Sequence, residues 1–155
     1  MPSKEYGDSS QVATYPVSMV SWNDCQTFIA KLNENTHRKF RLPKTEEWRY
    51  AARGGNNSNN YRYAGSNEID EVAWYNSNSS QTRHLVGKKK PNELGLYDMT
   101  GNVWEWCSDD FKGRKLLLGG SFSAFPDSCR LDAQDDDYPV NYSIRYGFRL
   151  AMDLE

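Results

Sequence analysis

Apolar positions near the start of the chain recur at helical spacing, and later ones fall into short extended runs. Cys25, Phe28, Ile29 and Leu32 stand at i, i+3, i+4 and i+7, which predicts a helix with one apolar face that Ser21 or Asn23 can cap. Ahead of it, Tyr15 to Val20 alternates as a short strand would. The polar stretch Asn33 to Lys39 breaks the pattern, and Arg41-Leu42-Pro43 introduces a second helix with Trp48, Ala51 and Ala52 as its buried stripe and Gly54-Gly55 as its end. From Gly54 to Asn92 the chain is too polar to nucleate a regular core and too aromatic for simple disorder. It reads as a long ordered loop pinned by Trp74, Tyr75, Leu85 and Val86. Leu94 to Trp106 and Leu116 to Leu118 read as strand material around turns, and Gly147 to Ala151 as a closing strand. No internal repeat interrupts this order.

Composition narrows the picture. A chain of 155 residues with 37% apolar side chains predicts one domain, over residues 15–155, behind a flexible leader at 1–14. The longest apolar run falls far short of the ~20 residues a bilayer demands, so no membrane insertion is expected. The start is polar and lacks the basic-then-apolar pattern of an export signal. With a net charge of -2, and Lys88-Lys89-Lys90 ending at Pro91, nucleic acid is not an expected partner. Cys25, Cys107 and Cys129 are too widely spaced for a disulfide framework or a zinc site. His37 and His84 fall in no Ser/His/Asp order and read as surface residues. Asp109-Asp110 and Asp135-Asp136-Asp137 lack the geometry of an acid/base pair. No catalytic residue is assigned. The aromatic content, 14%, is high enough to serve both a core and a binding surface.

Three segments together resemble one family. They are Arg41-Leu42-Pro43 with Glu47 to Gly55, Gly95-Leu96-Tyr97-Asp98-Met99-Thr100-Gly101-Asn102-Val103-Trp104-Glu105-Trp106, and Gly119-Gly120-Ser121 through Gly147-Phe148-Arg149. In this order they are similar to the formylglycine-generating enzyme (sulfatase-modifying factor) family. That resemblance implies an α+β, C-type-lectin-like fold with two helices, small antiparallel sheets and long ordered loops. Family members usually carry a strand and a helix ahead of the segment that begins here at Pro16, so a shortened version is expected. Lys44 stands where the family usually has a helix-capping Thr. A Lys side chain cannot accept a bond from an orphan N–H, which leaves Thr45 to take over.

The resemblance also bears on chemistry. Formylglycine generation uses a pair of cysteine thiolates after Gly-Gly-Ser to hold copper(I), a soft metal that takes soft ligands. The second falls on Cys129, but the first position holds Ala124. The expectation is therefore no copper and no such enzyme activity, with Cys129 a small buried hydrophobe. By the same resemblance, a calcium site falls on the side chains of Asp98 and Glu105 with backbone carbonyls of Gly101 and Val103, while Trp104 and Trp106 belong to the core.

Residues 121–151 carry a countable anomaly. Of the 120 residues before them, 28 are Trp, Met, Lys, Glu or Gln; of these 31, Gln134 alone is, where about seven would match the earlier frequency. Strands disfavour Lys and Glu, but a purely structural strand would not also hold three successive aspartates. What unites the surviving types is a codon ending in C or T, the set reached when the first two adenines of an Asn codon are randomised. This resembles the variable region of a diversity-generating retroelement target protein. Gly119-Gly120-Ser121, Cys129-Arg130, Pro139 and Gly147 to Leu150 look like its fixed scaffold.

Carried over position by position, the segment at about 121–146 offers as variable, ligand-binding candidates Phe122, Ser123, Ala124, Phe125, Asp127, Ser128, Asp132, Asp135, Asp136, Asp137, Tyr138, Val140, Tyr142, Ser143, Ile144 and Tyr146. These are expected to be exposed together, with Phe122, Phe125, Tyr138, Tyr142 and Tyr146 as anchors and the aspartates facing basic or hydrogen-bond-donor groups. The competing expectation puts Phe122, Phe125 and Ile144 in a core. The resemblance implies a receptor for a protein or glycan ligand on a host or neighbouring cell surface, displayed on a virion tip or a microbial envelope and open to oligomerisation. The alternative is a sulfatase-maturation enzyme with altered chemistry.

Overall fold

A computed structural model describes residues 14–154. The leader expected at 1–14 lies outside them except for Thr14, whose carbonyl accepts the Val86 N–H at 2.8 Å.

The first helix, α1, spans Trp22–Thr36, and Ser21 caps it reciprocally: the Ser21 hydroxyl accepts the Asp24 N–H at 3.0 Å while the Asp24 carboxylate accepts the Ser21 N–H at 2.8 Å. These bonds, the one from the Ser21 backbone first, hold the Asp24 carboxyl below the usual range. Cys25 and Ile29 are buried, Leu32 is half-buried, and Phe28 is half exposed with its ring edge-on to Phe148. The strand expected at Tyr15 to Val20 is absent, because Pro16 has no N–H to donate and Met19 adopts φ 58.

Helix α2, Thr45–Ala52, buries Trp48 and Ala52 as its stripe predicts. Its cap differs from expectation. The Glu47 carboxylate takes the Lys44 N–H at 2.8 Å, and the Thr45 N–H goes to Asp109 Oδ2 at 2.7 Å, an acceptor supplied across the fold rather than by the Thr45 side chain.

Strand β1 (Phe40–Arg41) pairs antiparallel with β6 (Ala151–Met152), joining the segment after α1 to the C-terminal end of the described chain. A four-stranded sheet is ordered β4-β3-β2-β5. Strands β2 (Trp104–Phe111) and β3 (Arg114–Leu118) form an antiparallel hairpin, irregular between Trp106 and Asp110, and β4 (Asp135–Asp137) runs antiparallel to β3. Strand β5 (Tyr146–Gly147) lies parallel to β2, so the sheets are not wholly antiparallel. The closing strand thus divides into β5 and β6. The strand expected from Leu94 begins only at Trp104, since Asp98, Gly101 and Asn102 are all left-handed. Gly101 is required there: a Cβ would meet the Trp74 carbonyl.

Trp48, Met99, Cys107 and Leu118 pack on one side of the β2–β3 hairpin, and Cys25, Ile29, Leu42, Trp106 and Leu117 on the other. The long loop is ordered as expected and contains a one-turn helix, α3 (Ile69–Val72). Its pins differ in part: Val86 is exposed, and the holding is done by buried Tyr63, Val72, Ala73 and Tyr75. The Asn92 amide adds bonds to the Ala51 and Ala52 carbonyls at 2.7 and 3.0 Å. Replacing Asp109 by Ala should leave the fold intact but lower its unfolding free energy by about 1 kcal/mol, the typical value of a helix cap, measured by urea denaturation.

Candidate functional site

The segment from Ser121 onward enters through a buried residue. Phe122 is 5% exposed, its N–H bonded to the Asn102 carbonyl at 2.8 Å and its carbonyl to the Ser79 hydroxyl at 2.6 Å. This corrects the expectation that Phe122 is a surface anchor: it wedges the segment against the loop. Phe125, at the mouth of the short 3-10 turn Pro126–Cys129, is 70% exposed, and Asp127 is also exposed. Ser123, Ala124 and Ser128 are half-buried, and the Ala124 carbonyl takes the Asn76 N–H at 3.1 Å.

Further along, Tyr138, Val140, Tyr142 and Ile144 alternate along the chain and are 54%, 64%, 62% and 49% exposed. The backbone beneath them is tethered from outside. The Pro139 carbonyl accepts the Asn23 N–H at 3.1 Å, in the first turn of α1, and the Ser143 carbonyl accepts the Met19 N–H at 3.0 Å. Both ends of each bond are main-chain atoms, so they hold the ridge whatever side chains it carries.

The aspartates divide. Asp135 and Asp132 are exposed, whereas Asp136 and Asp137 are half-buried and pair with Arg114. Asp137 accepts bonds from the Asn141 amide (2.7 Å), the Tyr138 N–H (2.8 Å) and the Tyr146 hydroxyl (3.0 Å). Burial pushes this carboxyl up, but those bonds outweigh it and hold it below the usual range. Tyr146 is half-buried, its ring edge-on to Trp106 at 5.3 Å and its phenol pushed up to about 12 by burial and then by Asp137. Asp136, Asp137 and Tyr146 therefore brace the ridge, and Tyr146 is half-buried where the expectation had it exposed. The half-buried Ser143 contributes its hydroxyl to the Arg145 N–H. Nothing in the sequence marked the Asn23 and Met19 tethers, because a main-chain donor has no side-chain signature.

The thiols are sequestered. Cys129 is 1% exposed and burial pushes its pKa up to about 12. Cys25 is likewise raised to about 12, and Cys107 is also raised. Ala124 has no ligand atom. His37 is exposed beyond α1, while His84 is half-buried, stacked on Trp74 at 3.8 Å, rather than at the surface. Among the described residues no cluster of three or more His, Cys, Asp or Glu could hold a metal.

The four residues that the resemblance implied for calcium sit in the turn before β2 and at its start, and Asp98, Val103 and Glu105 among them line a cavity of about 420 Å³. Glu105 is buried and accepts Trp48 Nε1 at 2.7 Å, Arg149 Nε at 2.6 Å and Arg149 Nη2 at 2.8 Å. Asp98 takes the Gly87 N–H through Oδ2, but its Oδ1 is buried without a partner, and burial pushes the carboxyl up. Two carboxylates thus face one guanidinium, leaving one negative charge and one open oxygen. That chemistry fits a hard cation whose other ligands are main-chain oxygens.

The model of the sulfatase-modifying factor enzyme 1-like domain matches residues 2–154. The chain belongs to that family. A formylglycine-generating enzyme of Streptomyces coelicolor is 32% identical over 176 aligned positions, covering 91% of this chain and 54% of the relative. The Treponema denticola variable protein 1 structure superposes with a TM-score of 0.81 at 27% identity, over 96% of this chain and 74% of that one. The CarF structure gives 0.85 at 29%, over 100% and 72%. This family member spans about a third to just over half the length of the first curated relatives it matches. These findings establish the C-type-lectin-like fold of the formylglycine-generating type.

In this family member, alkylation by iodoacetamide at neutral pH should modify no thiol of the native chain and all three after denaturation, read by intact mass. Labelling of native Cys129 would show a thiolate the burial forbids.

Proposed function

We propose that this chain is a ligand-binding protein that displays an exchangeable surface on a fixed lectin-like frame, and that its C-terminal segment is the target of a diversity-generating retroelement. The observation that carries the reading is the ridge Tyr138, Val140, Tyr142 and Ile144: four large side chains exposed in alternation on a backbone held by main-chain bonds from α1 and the segment before it. Phe125, Asp127, Asp132 and Asp135 add exposed candidates. Aromatic and branched groups on a rigid backbone bind with little loss of rotamer freedom, and short polar neighbours adapt around them. The ligand class is a protein or glycan on a host or neighbouring cell, and display on a virion tip or microbial envelope suits such a role. Similarity to the Treponema denticola variable protein supports this reading.

The second reading, an enzyme, is favoured by the similarity to formylglycine-generating enzymes. Ala124 and the buried, protonated Cys129 weigh against it, since copper(I) chemistry of that kind takes two accessible thiolates. Turnover of a sulfatase peptide by the copper-treated protein would replace the proposal with the enzyme.

Randomising codons 138, 140, 142 and 144 together should leave most clones folded, with melting temperatures spread by only a few degrees, as expected for surface changes within about ±0.5 kcal/mol each. General unfolding across that library would overturn the reading. In the neighbouring DNA, a near-identical copy of the coding segment that differs only at adenines, beside a reverse transcriptase gene, is the matching genetic expectation.

We also propose a structural calcium ion held by Asp98 and Glu105 with the Gly101 and Val103 carbonyls, where it would take the partnerless Asp98 Oδ1 as a ligand. Adding calcium should raise the melting temperature of the native chain and have no effect on Asp98→Ala; an equal shift in both would remove the site.

A further inference from the structure

Away from the ridge, two hollows of about 420 and about 380 Å³ share Asn60, Tyr61, Leu131 and Asp132 and so form one continuous groove. Arg62 and Arg130 line one half, and Arg49 and Arg53, four residues apart at the end of α2, line the other. Four guanidinium groups thus meet a single lining carboxylate, Asp132, in a chain whose net charge is -2. Several of their donors are unspent. Arg49 gives Nη2 to the Gln134 side chain at 2.8 Å, but its Nε is buried with no partner. Arg53 lies over the Tyr50 ring at 5.4 Å, and the Arg62 side chain makes no hydrogen bond or ion pair among the described residues. The floor is set by the Arg62 main chain instead: the Leu131 N–H bonds the Arg62 carbonyl at 3.1 Å, and the Arg62 N–H bonds the Asn67 side-chain Oδ1 at 2.9 Å.

Asp132 shows what the groove prefers. Its two oxygens take Arg130 Nε and Nη2 at 3.0 and 3.2 Å, the two-pronged match of guanidinium to a planar oxyanion. The Arg130 bonds hold this carboxyl below the usual range, aided by the charge of Arg49.

We infer that this groove is a second binding site, for an acidic oligosaccharide whose carboxylate or sulfate groups meet the arginines. The sugar part follows from the remaining lining: Ser58, Asn60 and Asn67 offer the amides and hydroxyl that pair with sugar hydroxyls, and Tyr61 offers a ring face. Asp132 occupies the Arg130 fork as an internal stand-in for the ligand's anion. The site uses arginines that the ridge does not, and it shares with the diversification proposal the single position Asp132.

Calorimetric titration of the full chain tests it with three probes: a uronate oligosaccharide, a sulfated oligosaccharide and a neutral glucan. Binding of one or both acidic probes, weakened by salt and absent for the glucan, is expected, and which acidic probe binds names the source of the anion. Arg53→Ala and Arg62→Ala, both at exposed side chains, should each weaken that binding about tenfold, the loss of one charge-assisted bond. Asp132→Asn should tighten it by releasing Arg130, a gain that general misfolding could not produce. No binding of either acidic probe, equal binding of the glucan, or affinities indifferent to both arginine variants would overturn the site. Duplex DNA binding as tightly, with the same losses, would replace it with a general polyanion surface.

Discussion

The buried carboxylate of Glu105 is the interaction on which the rest of the structure depends. It sits second in β2, accepts donors from Trp48 of α2 and from Arg149 near the C-terminal end, and so fixes three distant parts of the chain against one another. A charge taken out of water in this way is tolerable only when fully paired, and removing one partner of such a set typically costs 3–5 kcal/mol, roughly, of folding free energy. Arg149 lies two residues beyond β5, whose parallel pairing with β2 ends the exposed ridge. The carboxylate therefore reaches the exposed ridge indirectly, by determining where that ridge must close.

Exchange of side chains is compatible with stability only where the backbone is held by something that does not change. Along residues 122–146 that role falls to main-chain partners: Asn102, Asn76, Arg62, Asn23 and Met19 each contribute a backbone donor or acceptor. The exceptions are informative. Asp137 collects three bonds and Tyr146 packs on Trp106, so the same stretch contains positions whose identity matters to the fold. The surface is a mosaic of free and bracing residues, and a change at Asp137 would be felt by Tyr138, Asn141 and Tyr146 at once.

Much of the frame could be read from the chain because its signals are local. The spacing of Cys25, Ile29 and Leu32, the Ser21 cap and the Trp48 stripe are all set within one or two helical turns, and each recurs in the structure. The misses share a different cause. Phe122 carries the residue type of an anchor, but the Asn102 carbonyl and the Ser79 hydroxyl, both far along the chain, hold its backbone inward. Lys44 left a cap vacant that Asp109 filled from another element, and Val86 looked like a pin yet faces water. Non-local pairing has no period, so neither the tethers nor the arginine groove could be found by spacing.

One of the two outer strands of the larger sheet is β4, three aspartates in a row; the other is the two-residue β5. An open strand margin ordinarily invites a neighbouring molecule to add its own strand, the first step of fibril growth. Here a second molecule would have to bring its own triplet of negative charges alongside the first. Crowding many copies together thus meets built-in electrostatic repulsion along that margin, from the exposed Asp135 above all, since Arg114 pairs Asp136 and Asp137.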